Sequence, residues 1–341
     1  LGVPTSRSLA AVTTGEPVYR EETLPGAVLA RVAKSHIRIG TFQFFASKED
    51  KEALGLLVNH VLERHYPTAV ESGASSNSKA LMLLDEVMQA QAKLVASWQM
   101  IGFIHGVMNT DNVLLSGETI DYGPCAFMDT YHPETVYSSI DHRGRYAYQN
   151  QPPIAHWNLA GLAQALLPLL SENEDEAVEK ATAAINTFPE CFKASYTAGL
   201  GRKLGLSTVD ASDEVLGSDL LERMARNKAD FTLTFRYLSA LSQTQNDADN
   251  HVRALFEEPA EFDQWATDWR VRLVQDGVAD SERQDQMREA NPLYIPRNHL
   301  VEAAIRAAED RDDLASFDHL VTVLTSPYQQ QPGAEAYAEP P

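Results

Sequence analysis

The chain has 341 residues, 44% of them hydrophobic and 22% charged, which is enough to bury one large core or two ordinary ones and excludes a disordered chain. With 48 acidic against 28 basic side chains the formal net charge is −20, which argues against duplex nucleic acid or any other partner held mainly through its phosphate backbone. Cys125 and Cys191 are too few and too far apart for a disulfide framework or a Cys-rich zinc site, which points to a reducing compartment. The longest apolar run, Leu159 to Leu170, is broken by Gln164 and Pro168 and falls short of the roughly 20 residues of a membrane span. The sequence opens at Leu1, without an initiator Met and without a signal peptide, and reads as a fragment.

In chain order, the Val-, Thr- and Ile-rich start predicts short strands at Ser8–Thr13, Ala27–Ala33 and Ile37–Thr41, with turn signals at Thr14-Gly15 and Pro25-Gly26. Leu54, Leu57, Val58, Val61 and Leu62 recur at helical spacing, predicting a helix over Lys48–Tyr66 that Pro67 stops. Glu71–Ser78, with Gly73 and four serines, reads as a loop, and Ala80–Met100 as a long buried helix. Val113–Leu115 and Thr119–Ile120, separated by Ser116-Gly117, read as a small β-hairpin. Beyond Pro153 the pattern is helical, at Ile154–Leu170, Asp175–Thr187, Leu216–Lys228, Phe231–Ser242, Glu258–Gln275, Asp280–Ala290 and His299–Arg306. Gln329–Pro341 is a tail expected to lie over the surface.

Chemistry concentrates between Ile101 and Gly123. His105-Gly106, an Asn seven residues after the His, a turn, then Ile120-Asp121-Tyr122-Gly123 is the layout of the catalytic and metal-binding loops of kinase-like phosphotransferases. Mg²⁺ takes oxygen ligands, commonly one or two carboxylates together with phosphate oxygens, so the Asn112 carbonyl and the Asp121 carboxylate suit a metal-nucleotide site. The usual pattern has an Asp two residues after the His to accept the proton of the acceptor hydroxyl. Here that position is Val107, which cannot accept a proton, and Asp111 is the nearest carboxylate able to replace it. His105 reads as a packing and hydrogen-bonding residue, and Cys125 as a small buried side chain.

At this point the sequence resembles the selenoprotein O family, kinase-fold proteins called pseudokinases because they lack that Asp. The resemblance runs through Leu1-Gly-Val-Pro-Thr-Ser-Arg-Ser-Leu9, Pro17-Val-Tyr-Arg-Glu21, Arg31-Val-Ala-Lys-Ser-His-Ile-Arg38, His105-Gly-Val-Met-Asn-Thr-Asp-Asn112, Thr119-Ile-Asp-Tyr-Gly-Pro124, Gly144-Arg-Tyr-Ala-Tyr-Gln-Asn-Gln-Pro152 and Trp157-Asn-Leu159. It implies an α+β, protein-kinase-like fold: a partial small β-rich N-lobe over 1–47, a large mainly α-helical C-lobe over 48–328 with a metal-binding β-hairpin in the loops at 101–128, and a tail over 329–341. It also implies protein adenylyltransfer, in which AMP passes from a flipped ATP to Ser, Thr or Tyr hydroxyls of protein substrates. The alternatives are UMP transfer from UTP, conventional phosphoryl transfer, or an inactive nucleotide-binding scaffold.

Carried onto this chain, the resemblance makes Asn112 and Asp121 ligands of Mg²⁺ (or Mn²⁺), Asp111 the base, and Arg31 and Arg38 clamps for the inverted phosphates. Guanidinium groups bind phosphate bidentately and stand out in an acidic chain, although on their own the two arginines read as surface charges and Asp111 as a turn residue. Two departures are visible. There is no Gly-rich phosphate loop beyond the fragment Gly199-Leu-Gly201, and the family's C-terminal Cys or selenocysteine motif is absent from a sequence that stops at Pro341. ATP and hydroxyl-bearing proteins are the expected partners, with neither nucleic acid nor membrane, and the expected address is a bacterial cytoplasm, or a mitochondrion for a eukaryotic relative.

Overall fold

The computed structural model describes residues 1–19, 22–70 and 76–341. Strands β1 (Arg7–Tyr19) and β2 (Thr23–Val32) form an antiparallel ribbon, and a minimal pair, β3 (Phe103–Ile104) and β4 (Ala126–Phe127), lies in the middle of the chain. The helices are α1 (Ile39–Ser47), α2 (Lys51–His65), α3 (Pro67–Val70), α4 (Ser76–Met100), α5 (Gln151–Leu170), α6 (Glu174–Ile185), α7 (Phe188–Leu204), α8 (Ala211–Arg226), α9 (Phe231–Leu238), α10 (Asp249–Arg253), α11 (Pro259–Asp276), α12 (Asp280–Ala290), α13 (Asn298–Arg311) and α14 (Ala315–Leu324). Mixed α and β content with a helical majority agrees with an α+β chain. No helix among the described residues is long and apolar enough to cross a membrane.

The ribbon contains the expected strand Ser8–Thr13 and all but the last residue of Ala27–Ala33, but the two turn signals fall inside it. Gly15, at φ +75°, sits where the register slips between Thr13 and Pro17, and a Cβ on Gly26 would come within 2.6 Å of the Glu16 carbonyl oxygen. The expected strand at Ile37–Thr41 is instead the start of α1. The Arg38 N–H donates to Thr41 Oγ1 at 3.1 Å, and Ile39 and Phe42 are fully buried one turn apart, so capping and burial outweigh the local β preference of Ile37 and Ile39. α2 begins after Asp50, whose Oδ1 accepts the Ala53 N–H at 2.9 Å. Of the expected loop Glu71–Ser78, residues 71–75 lie outside the described residues and 76–78 open α4.

The expected β-hairpin at 113–120 is not formed. Its turn exists, with the Gly117 N–H bonded to Leu114 O at 3.2 Å and φ +70°, but the flanking segments pair outward: Leu114 bridges Arg38, and Thr119 bridges Thr5 in parallel. Gly199-Leu-Gly201 is not a phosphate loop either. It lies within α7, where a Cβ on Gly199 would reach 2.8 Å from Met100 and one on Gly201 would overlap Val209, so these glycines permit close packing.

Two main apolar clusters fill the body. One joins α1, α2, α4, α5 and α6 through residues such as Phe42, Leu84, Val95 and Leu162; the other joins α7 to α12 around Trp265 and Trp269, stacked at 5.6 Å, whose indole N–H groups donate to Leu216 O and Leu204 O. Phe103 belongs to the first cluster and Ile104 to the second, so the loop that follows starts at their junction. The tail is packed: Ala334 and Ala338 are buried with Tyr294 and Val323, and Tyr337 stacks on His319.

Candidate active site

The loop from His105 to Asn112 is held from beneath. His105 is buried against Trp98, its Nε2 bonds Ile120 O at 2.7 Å, and its Nδ1 accepts the Val107 N–H at 3.4 Å. Burial lowers the imidazole pKa, which fits a neutral ring donating from Nε2. That is the structural role read from the sequence. The His105 N–H donates to Gln151 Oε1, Gln151 Nε2 donates to Phe103 O, and Asn158 Nδ2 donates to Met108 O, each at 3.0 Å. Gly106, at φ +84°, lies so close to the 121–125 segment that a Cβ would sit 2.8 Å from Pro124 O.

These contacts link the two proposed ligand positions. Asn112 Nδ2 donates to Val107 O at 3.0 Å, which fixes the amide and leaves Oδ1 with no hydrogen-bond partner among the described residues. Val107 is bonded to His105, and His105 holds the carbonyl of Ile120, the residue before Asp121. Asp121 has φ +65°, a left-handed backbone uncommon for a side-chain-bearing residue, and no hydrogen bond or ion pair reaches its carboxylate among the described residues. Trp98 Nε1 and Pro4 O both bond Thr119 Oγ1 at 3.0 Å, steadying the approach to Asp121.

Asp111 is exposed on a short 3₁₀ turn, its N–H bonded to Asn109 Oδ1 at 3.0 Å. Its Oδ1 lies against Gly40 in the first turn of α1, so closely that a Cβ there would overlap it. Ile39 N–H to Val113 O at 3.1 Å and Leu115 N–H to Ile37 O at 3.0 Å lace the start of α1 to the same loop. Arg38 stands at that junction, and its Nε is buried without an acceptor among the described residues. The Asp111 carboxylate and the backbone of Arg38 therefore meet at the start of α1, where the helix dipole favours anions. Arg31 does not join them: it is exposed on β2, opposite Ser8.

The donors fit a hard cation in type. An amide oxygen and a carboxylate, both without protein partners among the described residues, are oxygen ligands suited to Mg²⁺ or Mn²⁺. No group of three His, Cys, Asp or Glu side chains able to hold a metal occurs among the described residues, so an ion here would complete its shell with phosphate and water. Burial pushes the Cys125 thiol up to about 11, which makes it a poor nucleophile.

Gln151, Asn158 and Gly40 escaped the sequence reading. A signal was available for the first two: polar residues seven apart, hence on one face, within a mostly apolar helix. Gly40 left none, because its partner Asp111 is 71 positions away in sequence.

The chain is 58% identical to a protein nucleotidyltransferase YdiU of Rhodopseudomonas palustris (strain BisB5), over all of this chain and 68% of that protein. It is 55% identical to those of Bradyrhizobium diazoefficiens and Methylorubrum extorquens (strain PA1), again over all of this chain and 68% and 69% of theirs. The family model for protein adenylyltransferase SelO matches residues 1–325. These findings define the class: the chain is an enzyme, a nucleotidyltransferase. It belongs to the SelO family.

Proposed function

We propose that the chain transfers AMP from ATP to a Ser, Thr or Tyr hydroxyl of a protein substrate, in a kinase-like cleft. The observation that carries this reading is the pair of oxygen donors, Asn112 Oδ1 and the Asp121 carboxylate, which have no protein partner among the described residues and are tied through Val107 and His105 to one loop. Asn112 and Asp121 would hold the divalent ion, which supplies charge neutralisation on the triphosphate. Arg38, whose buried Nε at the start of α1 has no acceptor among the described residues, offers a charged donor to phosphate oxygens. The role of Arg31 rests on the family resemblance.

In the reaction the acceptor hydroxyl oxygen forms a bond to the α-phosphorus, and the bond from that phosphorus to the bridging oxygen of the β-phosphate breaks. Pyrophosphate leaves with the electron pair, and the hydroxyl proton passes to Asp111, which is exposed to an incoming acceptor. ATP labelled at the α- or the γ-phosphate tests this. Incorporation from the α-label alone is expected; incorporation from the γ-label alone would make the chain a kinase and refute the proposal.

A further inference from the structure

Helix α5 runs beside the proposed base. Its Asn158 bonds Met108 O, and a Cβ on Gly161 would lie 3.5 Å from Thr110 Cγ2, the residue before Asp111. Trp157 precedes Asn158 and stands one turn before Gly161, so it flanks the same edge. Trp157 is 56% exposed, a costly placement for so large an apolar side chain. The Arg145 guanidinium lies over its ring, the guanidinium carbon 4.8 Å from the centroid, and also 5.7 Å from the Tyr146 ring.

The loop presenting Arg145 is pinned. Asp141 accepts the N–H groups of Arg145 and Tyr146, each at 2.8 Å, and Asn150 Nδ2 donates to Gly144 O at 2.6 Å. Both Asp141 oxygens are thus committed to backbone. No carboxylate pairs with Arg143 or Arg145 among the described residues, although the chain carries a net charge of −20. A stacked guanidinium keeps its N–H edge available for a bidentate carboxylate.

We infer that Arg145 and Trp157 form a docking shelf for an acceptor protein whose modified hydroxyl is flanked by Asp or Glu. This deepens the proposed function and rests on it for the term acceptor. Charge complementarity selects the partner: a chain of net charge −20 repels such a segment as a whole, whereas the cations of Arg143 and Arg145, without carboxylate partners among the described residues, attract it locally.

The test is fluorescence anisotropy with the whole chain and two matched, dye-labelled Tyr peptides, one flanked by Glu and one by Lys. The wild type should bind the Glu peptide at least about 10-fold more tightly. Arg145→Glu should reverse that preference, and Trp157→Ala should weaken Glu-peptide binding without reversing it. Arg306→Glu, the same charge change at a distant exposed site, should keep the wild-type preference. Equal binding of the Glu peptide by wild type and Arg145→Glu, or the same reversal by Arg306→Glu, would overturn the shelf. Adding α-labelled ATP separates the two readings: a peptide that binds at Arg145 but is never labelled counts against nucleotidyl transfer, not against the shelf.

Discussion

The helices beyond Phe188 and the loops around Asp111 treat charge in opposite ways. In the helical region buried charges are matched: Arg272 with Asp213, Arg270 with Asp249, and Arg297, fully buried, with both Asp129 and Asp230 while also donating to Ala338 O. In the loops, Arg38 has no carboxylate partner, and the Asn112 and Asp121 oxygens face no protein donor, among the described residues; a buried Nε without an acceptor is common to Arg38, Arg283 and Arg297 and does not separate the regions. Paired charges lock elements together, whereas unpaired ones forgo stability and stay available to a ligand.

The sharpest way to break that contrast is Arg297→Met, which strands two half-buried or buried carboxylates and should cost about 3–5 kcal/mol in urea unfolding. Loss below about 1 kcal/mol would mean the pairing is not structural. Next, Asp121→Asn should lower transfer about 10²–10³-fold while leaving the unfolding midpoint within a few degrees of wild type. A large drop in that midpoint would place Asp121 with the structural charges instead. Gly40→Ala is a smaller perturbation that suits a helix yet collides with Asp111, so transfer should fall roughly 10-fold with little change in stability. Unchanged transfer would show that Asp111 does not need its present position.

The smallest effect concerns an exception in the helical region. Lys203 is buried without a carboxylate partner among the described residues, over the Phe235 ring at 4.1 Å, and burial lowers its pKa to about 7 from 10.5. The unfolded chain therefore binds a proton that the folded chain sheds between about pH 7 and 10.5, and this residue's contribution to stability rises with pH across that window. Lys203→Met should stabilise the fold by about 1–2 kcal/mol at pH 7 or below, the gain shrinking toward pH 10, with the cation–π contact offsetting part of it. Destabilisation by Met at pH 6 would show that the aromatic contact outweighs desolvation.

The sequence revealed what depended on local pattern. Helices α2, α4, α5, α11 and α12 announced themselves through apolar spacing and proline, whereas the layout of Asp111, Asn112 and Asp121 around a turn supplied only the proposal of a site. What stayed hidden depended on distant partners. α7 was missed because, packed closely against α4 and α8 through Gly199, Gly201 and Gly217, it shows no single apolar stripe. The turn at Gly117 was legible, but nothing nearby in sequence says that Leu114 pairs with Arg38 and Thr119 with Thr5. In the same way, Arg31 and Arg38 look equivalent in the sequence, yet one is exposed on the ribbon and the other caps α1 beside Asp111.

Electron paramagnetic resonance of Mn²⁺ titrated with the chain and a non-hydrolysable ATP analogue tests the central claim most directly. Wild type should bind the ion when the nucleotide is present, and Asn112→Ala and Asp121→Ala should each abolish that signal while the protein melts as wild type. Wild-type Mn²⁺ binding by both well-folded variants would contradict the account.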